Sequence, residues 1–340
     1  MPSPSARNQV VSDVVAEWLA AHPVSGTALV LDDQTGHIAS ELRDFGVEVT
    51  TWNRAEVQGP TWLPEGRWDT IISRLPKGKK TLQMYIHGAA SRLEEGGLHL
   101  LCGANDEGVK SAGKRLQEVF SEVSTAQTRR KCRLFSARSP SGEARSDLDA
   151  WAVDCQEDGL AWVSFPGVFS HGRIDLGTQE LVRCMPLPDP GTRVLDFGCG
   201  AGLLSMSLRK RRPELSIDLL DIDGLAVEAA RRNLPDCRVI HSDGWEQVGG
   251  ERWDLILSNP PFHDGVARDH GVLDRLVRQA PDYLAPGGAL MVVCQRNVPV
   301  MDRLVETFGK RRCERLHQGR YQVWRATRPP SPGGGRSRPR

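Results

Sequence analysis

Short apolar runs alternate with amphipathic stretches along this chain, and they do so twice in the same order. Ala28-Leu29-Val30-Leu31 and Val49-Thr50-Thr51-Trp52 read as strands on either side of a helical stretch from His37 to Phe45, the order of a parallel sheet with a helical crossover. Trp68-Asp69-Thr70-Ile71-Ile72 follows as a strand, Leu82 to Leu93 as a helix, and Leu98-His99-Leu100-Leu101 as a strand after a Gly96-Gly97 turn. In the second half, strands are predicted at Arg193 to Asp196, Ser216 to Leu220, Arg238 to His241, Trp253 to Leu257 and Ala289 to Val293. Helices are predicted near Leu203 to Arg209, Gly224 to Asn233 and Leu273 to Leu284. Both halves are therefore expected to be α/β.

The repetition extends to individual letters. Arg67-Trp68-Asp69-Thr70-Ile71-Ile72-Ser73 matches Arg252-Trp253-Asp254-Leu255-Ile256-Leu257-Ser258 at an offset of 185 residues, and the Gly96-Gly97 turn matches Gly287-Gly288 at an offset of 191. Near-equal spacing between landmarks points to an internal duplication. The copies differ where chemistry would sit. Asn259-Pro260-Pro261-Phe262 in the second half faces Arg74-Leu75-Pro76-Lys77 in the first, followed by Lys79 and Lys80. Leu195-Asp196-Phe197-Gly198-Cys199-Gly200-Ala201-Gly202 faces Leu31-Asp32-Asp33-Gln34-Thr35-Gly36. The first copy is expected to have lost both ligand and chemistry. Three segments follow: 1–145, 146–327 and a basic, Gly- and Pro-rich tail over 328–340 that cannot form a core. Ser139-Pro140-Ser141-Gly142-Glu143 is the expected linker between the first two.

Composition changes this picture little. The 340 residues are 39% hydrophobic and 26% charged with a net charge of +1, ordinary for a globular chain. Basic runs at Arg129-Arg130-Lys131, Arg209-Lys210-Arg211-Arg212 and Lys310-Arg311-Arg312 stand out; such runs are either solvated faces or contacts for a polyanion. Eight cysteines are scattered without a C-x-x-C pair, so neither a metal site nor a disulfide framework is expected. Met1 to Ala20 has no basic segment followed by an apolar core, and no run approaches the ~18 apolar residues of a membrane span. A cytoplasmic location, no membrane partner and a monomer are expected.

Two loops carry candidate chemistry. Asn259-Pro260-Pro261-Phe262 closes an apolar strand. Its Asn amide oxygen and first Pro carbonyl could accept the two hydrogens of a planar amine while the aromatic ring stacks on the amine's scaffold. Two prolines fix the backbone and add no competing N–H; the plain alternative is a Pro-rich turn. Gly198-Cys199-Gly200-Ala201-Gly202 lies between a strand and a helix, as a loop approached closely by a ligand would. It departs from the G-x-G-x-x-G dinucleotide spacing, and Asp196 at its entrance suits an ammonium group better than a pyrophosphate. Asp221 lies 23 positions after Gly198, near the ~20 expected for an acid that holds ribose hydroxyls. Ile222 could pack on a purine, and Asp243 with Gly244 follows the third strand. Each acid alone is more ordinarily a capping or surface group.

Together with Phe165-Pro166-Gly167-Val168-Phe169-Ser170 and Ile174-Asp175-Leu176-Gly177-Thr178-Gln179, these motifs resemble the class I S-adenosylmethionine-dependent methyltransferases. Within that class they are most similar to the bacterial ribosomal-RNA guanine-N2 methyltransferases, above all those of the small subunit. The resemblance spans about Ala28 to Ala326 and is strongest over 165–326. It implies two tandem Rossmann-like domains, the first degenerate. It also implies S-adenosylmethionine as cofactor, bound by Asp196, Gly198, Cys199, Gly200, Gly202, Asp221, Ile222, Asp243, Gly244 and Asn259. Catalysis would fall to Asn259, Pro260 and Phe262, and substrate contact to Phe169, Pro261 and Phe262. Lys77, Lys79 and Lys80 would dock ribosomal RNA or the small subunit. His263 is a conceivable base, although a histidine in such a turn is more often structural. Competing expectations are a large-subunit guanine methyltransferase, a protein-glutamine or adenine-N6 methyltransferase, and a non-catalytic RNA-binding assembly factor. Glutamine enzymes usually carry Tyr where this chain has Phe262.

Overall fold

The computed structural model describes residues 4–142, 144–260 and 267–331. The chain divides into two compact units, Met1–Ala152 with Phe165–Gly167 and Val153–Ser164 with Val168–Arg340. In the first unit, α1 (Pro4–Ala21) precedes β1 (Thr27–Leu31), α2 (His37–Asp44), β2 (Glu48–Trp52), β3 (Trp68–Arg74), α3 (Lys79–Arg92), β4 (Leu93–Ala104), α4 (Ala112–Gln117), β5 (Phe120–Arg129) and β6 (Cys132–Pro140). Its sheet runs β2-β1-β3-β4-β6-β5, parallel through β4 and antiparallel beyond. Ser139 and Pro140, read above as linker, are the end of β6, where Pro140 lies opposite Phe120. The sequence pattern also passed over α1, whose Val11, Val14, Val15 and Leu19 are buried against the sheet at the i, i+3, i+4 spacing of one helix face.

The second unit begins with the hairpin β7 (Val153–Glu157) and β8 (Leu160–Ser164). It continues through α5 (Leu176–Cys184), β9 (Arg193–Phe197), α6 (Leu203–Arg211), β10 (Ser216–Asp221), α7 (Gly224–Asn233), β11 (Arg238–His241) and β12 (Trp253–Ser258). It ends with α8 (Ala267–Tyr283), β13 (Leu284–Gln295), α9 (Val300–Phe308), β14 (Cys313–Gln318) and β15 (Tyr321–Thr327). Its sheet runs β11-β10-β9-β12-β13-β15-β14. Helices cover both faces, so the central strands are buried on both sides and must be continuously apolar. Accordingly Leu195, Leu290 and Ile256 lie in one core cluster, and Val194, Met291 and Leu257 in the other. Arg328 and Pro329, assigned above to the tail, are tied to β13: Arg328 N–H donates to Gly288 O at 2.8 Å and Gly287 N–H to Pro329 O at 3.3 Å. Residues 332–340 lie outside the described residues.

The two sheets share one plan, and details fix the correspondence. Asp69 Oδ2 accepts from Thr27 N–H at 2.8 Å, and Asp254 Oδ2 from Arg193 N–H at 2.9 Å. Val30 pairs with Ile72 as Asp196 pairs with Leu257. Val30, not Asp32, is therefore the counterpart of Asp196, which shifts the letter match made above by two residues. Asn53 likewise answers Asp221, being the residue after Trp52, which lies opposite Leu31 as Leu220 lies opposite Phe197. Asn259 is answered by Arg74, which is 8% exposed and paired to Glu107 at 2.7 Å. That cation is structural and is not part of the exposed charge expected around Lys77. Nothing in the first sheet answers β11, because the stretch from Trp52 to Trp68 holds no strand or helix. It supplies Trp62 and Leu63 to the core instead.

One shared element is testable. Gly97 and Gly288 each follow a left-handed glycine, and a Cβ would lie 2.9 Å from Glu94 O in the first and 2.9 Å from Ala285 O in the second. Backbone cannot yield as a side chain does, so Gly97→Ala and Gly288→Ala should each destabilise by roughly 1–3 kcal/mol. Denaturant unfolding of either variant at wild-type stability would remove this constraint.

Candidate active site

In a parallel sheet the carboxyl ends of neighbouring strands open on one edge, where ligands bind. Here β9, β10, β11 and β12 do so. From β9 the chain turns through Gly198, Gly200 and Gly202, with φ of 73°, 55° and 84°, a region that side-chain-bearing residues rarely enter. A Cβ on Gly202 would press to 3.2 Å against Leu219 and Leu234, whereas one on Gly198 would meet nothing within 4 Å and one on Gly200 only Phe169 at 3.9 Å. Gly202 therefore serves packing, and Gly198 and Gly200 leave open space beside their backbone. A cavity of ≈ 350 Å³ of empty space, part of it open to solvent, is walled by Phe169, Ser170, Thr178, Asp196, Gly198, Cys199, Gly200, Ala201, Leu203, Leu204 and Asn259.

Asp196 is 2% exposed, and its Oδ2 accepts from Ser205 Oγ at 2.7 Å. Burial lifts its pKa to about 7, opposed by the Ser205 hydrogen bond and reinforced by the charge of Asp221. Asp221 shapes the loops: Oδ2 accepts from Gly200 N–H at 2.8 Å and Oδ1 from Asp223 N–H at 2.9 Å. Burial and then the charge of Asp223 raise it to about 6, against those backbone donors. Burial beside two carboxylates holds the Cys199 thiol protonated, so it contributes wall and not nucleophile.

Ile222, Asp243 and Gly244 lie on the same edge, outside the wall of that cavity. Ile222 is half-buried, and its carbonyl accepts from His241 Nε2 at 3.0 Å. Asp243 Oδ1 is held by Arg275 of α8, whose guanidinium lies so close over Gly244 that a Cβ there would sit 3.1 Å from it. At the end of β12, Asn259 Nδ2 donates to Asp175 Oδ2 and to Thr178 Oγ1, both at 3.0 Å. Pro260 follows, buried. Pro261, Phe262 and His263 lie outside the described residues. Phe169 is 47% exposed and forms part of the cavity wall.

Sequence reasoning assigned no role to several groups here. Ser205, Thr178 and Arg275 are polar residues on helices and Asp175 caps one, and nothing in the local pattern says which strand end each meets. Asn233 belongs with them: it accepts from Val163 N–H at 2.7 Å and donates to Val163 O and Ala201 O, both at 2.9 Å, pinning β8 to the glycine loop. Much of the basic charge proves to be structural. Lys210 donates to the carbonyls of Asp158 and Gly159, Arg211 to Val182 O, and Arg130 pairs with Glu17 at 2.6 Å. Lys77, Lys79 and Lys80 are exposed at the start of α3, whose first turn carries no acid. A helix N-terminus of this kind favours anions. Among the described residues, Glu180, Cys184 and His317 approach metal-binding geometry, but Arg183 already donates to Glu180 Oε2 at 2.6 Å and to His317 Nδ1 at 3.1 Å.

Two family models cover most of the chain: "Methyltransferase small domain" matches residues 159–325 and "Methyltransferase small domain N-terminal" residues 27–154. A Hahella chejuensis protein named ribosomal RNA small subunit methyltransferase C is 34% identical over 328 residues, covering 90% of this chain and 95% of its own. A Pseudomonas aeruginosa protein of the same name is 37% identical over 279 residues, covering 79% and 82%. Among solved structures, a T. thermophilus 16S rRNA N2 methyltransferase in complex with AdoMet and guanosine superposes with a TM-score of 0.76. It is 23% identical and covers 94% of this chain and 92% of that one.

A carboxylate with a folded pKa of about 7 against an ordinary 3.8 binds its proton more tightly in the folded state. It therefore lowers stability progressively as pH rises from about 4 to 7, and fully above 7. Asp196→Asn should raise the Tm of the ligand-free protein at pH 8, by about 2–4 °C per kcal/mol regained, with the difference shrinking toward pH 5. Calorimetry showing a lower Tm for the variant at pH 8 would count against the burial penalty.

Proposed function

The chain belongs to the ribosomal RNA small subunit methyltransferase C family, and on that premise we propose that it methylates the exocyclic N2 of a guanine in 16S rRNA, with S-adenosylmethionine as methyl donor. One observation carries the reading. Asn259 stands at the wall of the same cavity as Asp196 and the glycine loop, so an amine held by Asn259 would meet whatever that loop holds. A cytoplasmic location and a ribosomal partner follow from such a substrate.

The residues present fit the cofactor. Asp196 would accept from its ammonium group, and the open faces of Gly198 and Gly200 would admit it to the backbone. Asp221 keeps lone pairs for ribose hydroxyls beyond the two that hold Gly200 and Asp223. Ile222 offers an apolar face to adenine, and Asp243 can accept from the adenine amine through Oδ2 while Oδ1 holds Arg275. The bound cofactor supplies an electrophilic methyl on a sulfonium. Asn259 Oδ1 and Pro260 O would accept the two N2 hydrogens of a guanine extruded from its helix, drawing its lone pair out of conjugation with the ring and toward that methyl. Alignment of this kind supplies most of the acceleration. The proton released from N2 after alkylation can pass to water, so no strong base is required. Stacking by Phe262 belongs to the same proposal, as does closure by Phe169. Docking through Lys77, Lys79 and Lys80 completes it.

Asn259→Ala should reduce methyl transfer to a small residual rate while leaving cofactor affinity by calorimetry within about twofold. In a strain lacking the gene, mass-spectrometric mapping should find one N2-methylguanosine missing from 16S rRNA, restored by the wild-type gene and not by the variant. An unchanged modification map would refute the assignment. Reversing the charge of Lys77, Lys79 and Lys80 should weaken RNA binding and flatten its salt dependence, since each phosphate contact contributes to that slope. Equal RNA affinity at physiological salt would remove these lysines from the docking surface.

A further inference from the structure

We propose that Asp175 and Thr178, at the start of α5, are positioning residues that choose which end of the Asn259 amide meets the substrate amine; this rests on the reading of the site as amine-methylating. A primary amide carries two donors at one end and an acceptor at the other, and rotation about its last side-chain torsion exchanges them. Only the oxygen-forward orientation can accept from an exocyclic amine. An asparagine at a strand end has no intrinsic reason to prefer it.

Asp175 supplies the reason. Its Oδ2 accepts from Gly177 N–H at 2.7 Å and Thr178 N–H at 3.4 Å, which caps α5, and also from Asn259 Nδ2 at 3.0 Å. An ionised carboxylate can only accept. Turning the amide would set Oδ1 against that oxygen, two acceptors face to face. Thr178 Oγ1, also 3.0 Å from Nδ2, gives the amino group its second acceptor. The approach is close enough that a Cβ on Gly177 would lie 2.8 Å from Asp175 Oδ2 and 3.1 Å from Asn259 Oδ1. Glycine there lets the helix end reach the amide. Donation to a carboxylate also polarises the amide and strengthens Oδ1 as an acceptor. Thr178 and Asn259 both border the cavity, so the free oxygen stands beside the space where the methyl would be presented.

The test uses the full chain, small subunits lacking the modification and labelled methyl donor. Thr178→Val keeps the shape and removes the hydroxyl, and should lower kcat about tenfold with cofactor Kd and subunit KM unchanged; Thr178→Ser should stay within about twofold of wild type. Asp175→Asn keeps a helix cap but no longer excludes the turned amide, and should lower kcat about 100-fold. Single-turnover rates in the Asn259→Ala background separate positioning from structure. There Thr178→Val should change the residual rate less than twofold while shifting Tm as it does in the wild type. Full activity of Asn259→Ala would remove the acceptor itself and the proposal with it. A slow Asn259→Ala beside fully active Thr178→Val and Asp175→Asn would overturn the positioning role alone, as would an equal loss from Thr178→Val in both backgrounds.

Discussion

The parallel register of β9, β10 and β12 is the constraint on which the rest of the second unit depends. Asp196 lies opposite Leu257 and next to Leu219. Each strand end therefore leaves the sheet on the same edge within a residue or two of the others. Ser258 fastens that edge by donating to Phe197 O at 2.7 Å. Displacing β12 by one residue would turn its side chains to the opposite faces. Asn259 would then leave the cavity, and Leu257 would leave its core.

The duplicated scaffold shows what this constraint permits. The first unit keeps the strand order of its counterpart, with Trp68 opposite Leu93 as Trp253 is opposite Leu284, and a glycine pair within β4 that matches the one within β13. It has exchanged every group that would hold a ligand. Val30 stands for Asp196, Asn53 for Asp221 and Arg74 for Asn259, and the strand bearing Asp243 has no counterpart among the described residues. A buried carboxylate with no ligand to neutralise costs stability, so a domain released from chemistry gains by replacing Asp196 with valine. Arg74 avoids the same cost through its pairing with Glu107.

The second unit retains that cost at two carboxylates. Asp196 and Asp221 both sit above the ordinary carboxylate range because burial disfavours their charged forms. Low polarity around a carboxylate also strengthens its attraction for a cation. The surrounding polar network engages each strand end from one side: Ser205 donates to Asp196, Arg275 to one oxygen of Asp243, and the α5 cap accepts from the amino end of Asn259. In each case a group on or capping a helix occupies one hydrogen-bonding position of a residue at a strand end.

What the sequence determined by itself was local. Apolar runs, glycine turns, the end of a strand just before Asn259-Pro260 and the doubled Arg-Trp-Asp motif were legible because each depends on contiguous residues, and strand and turn preferences act over a few positions. Tertiary structure decided the remainder. The letters favoured Asp32 as the counterpart of Asp196, and only strand pairing showed it to be Val30. Charge runs such as Arg209 to Arg212 suited a nucleic-acid surface until their carbonyl and carboxylate partners came into view. The bonds that orient Asn259 join residues 81 and 84 positions apart. A hydrogen bond of that kind exists only when packing brings a helix end and a strand end within 3 Å, a condition set by the whole core and written in no single stretch of the chain.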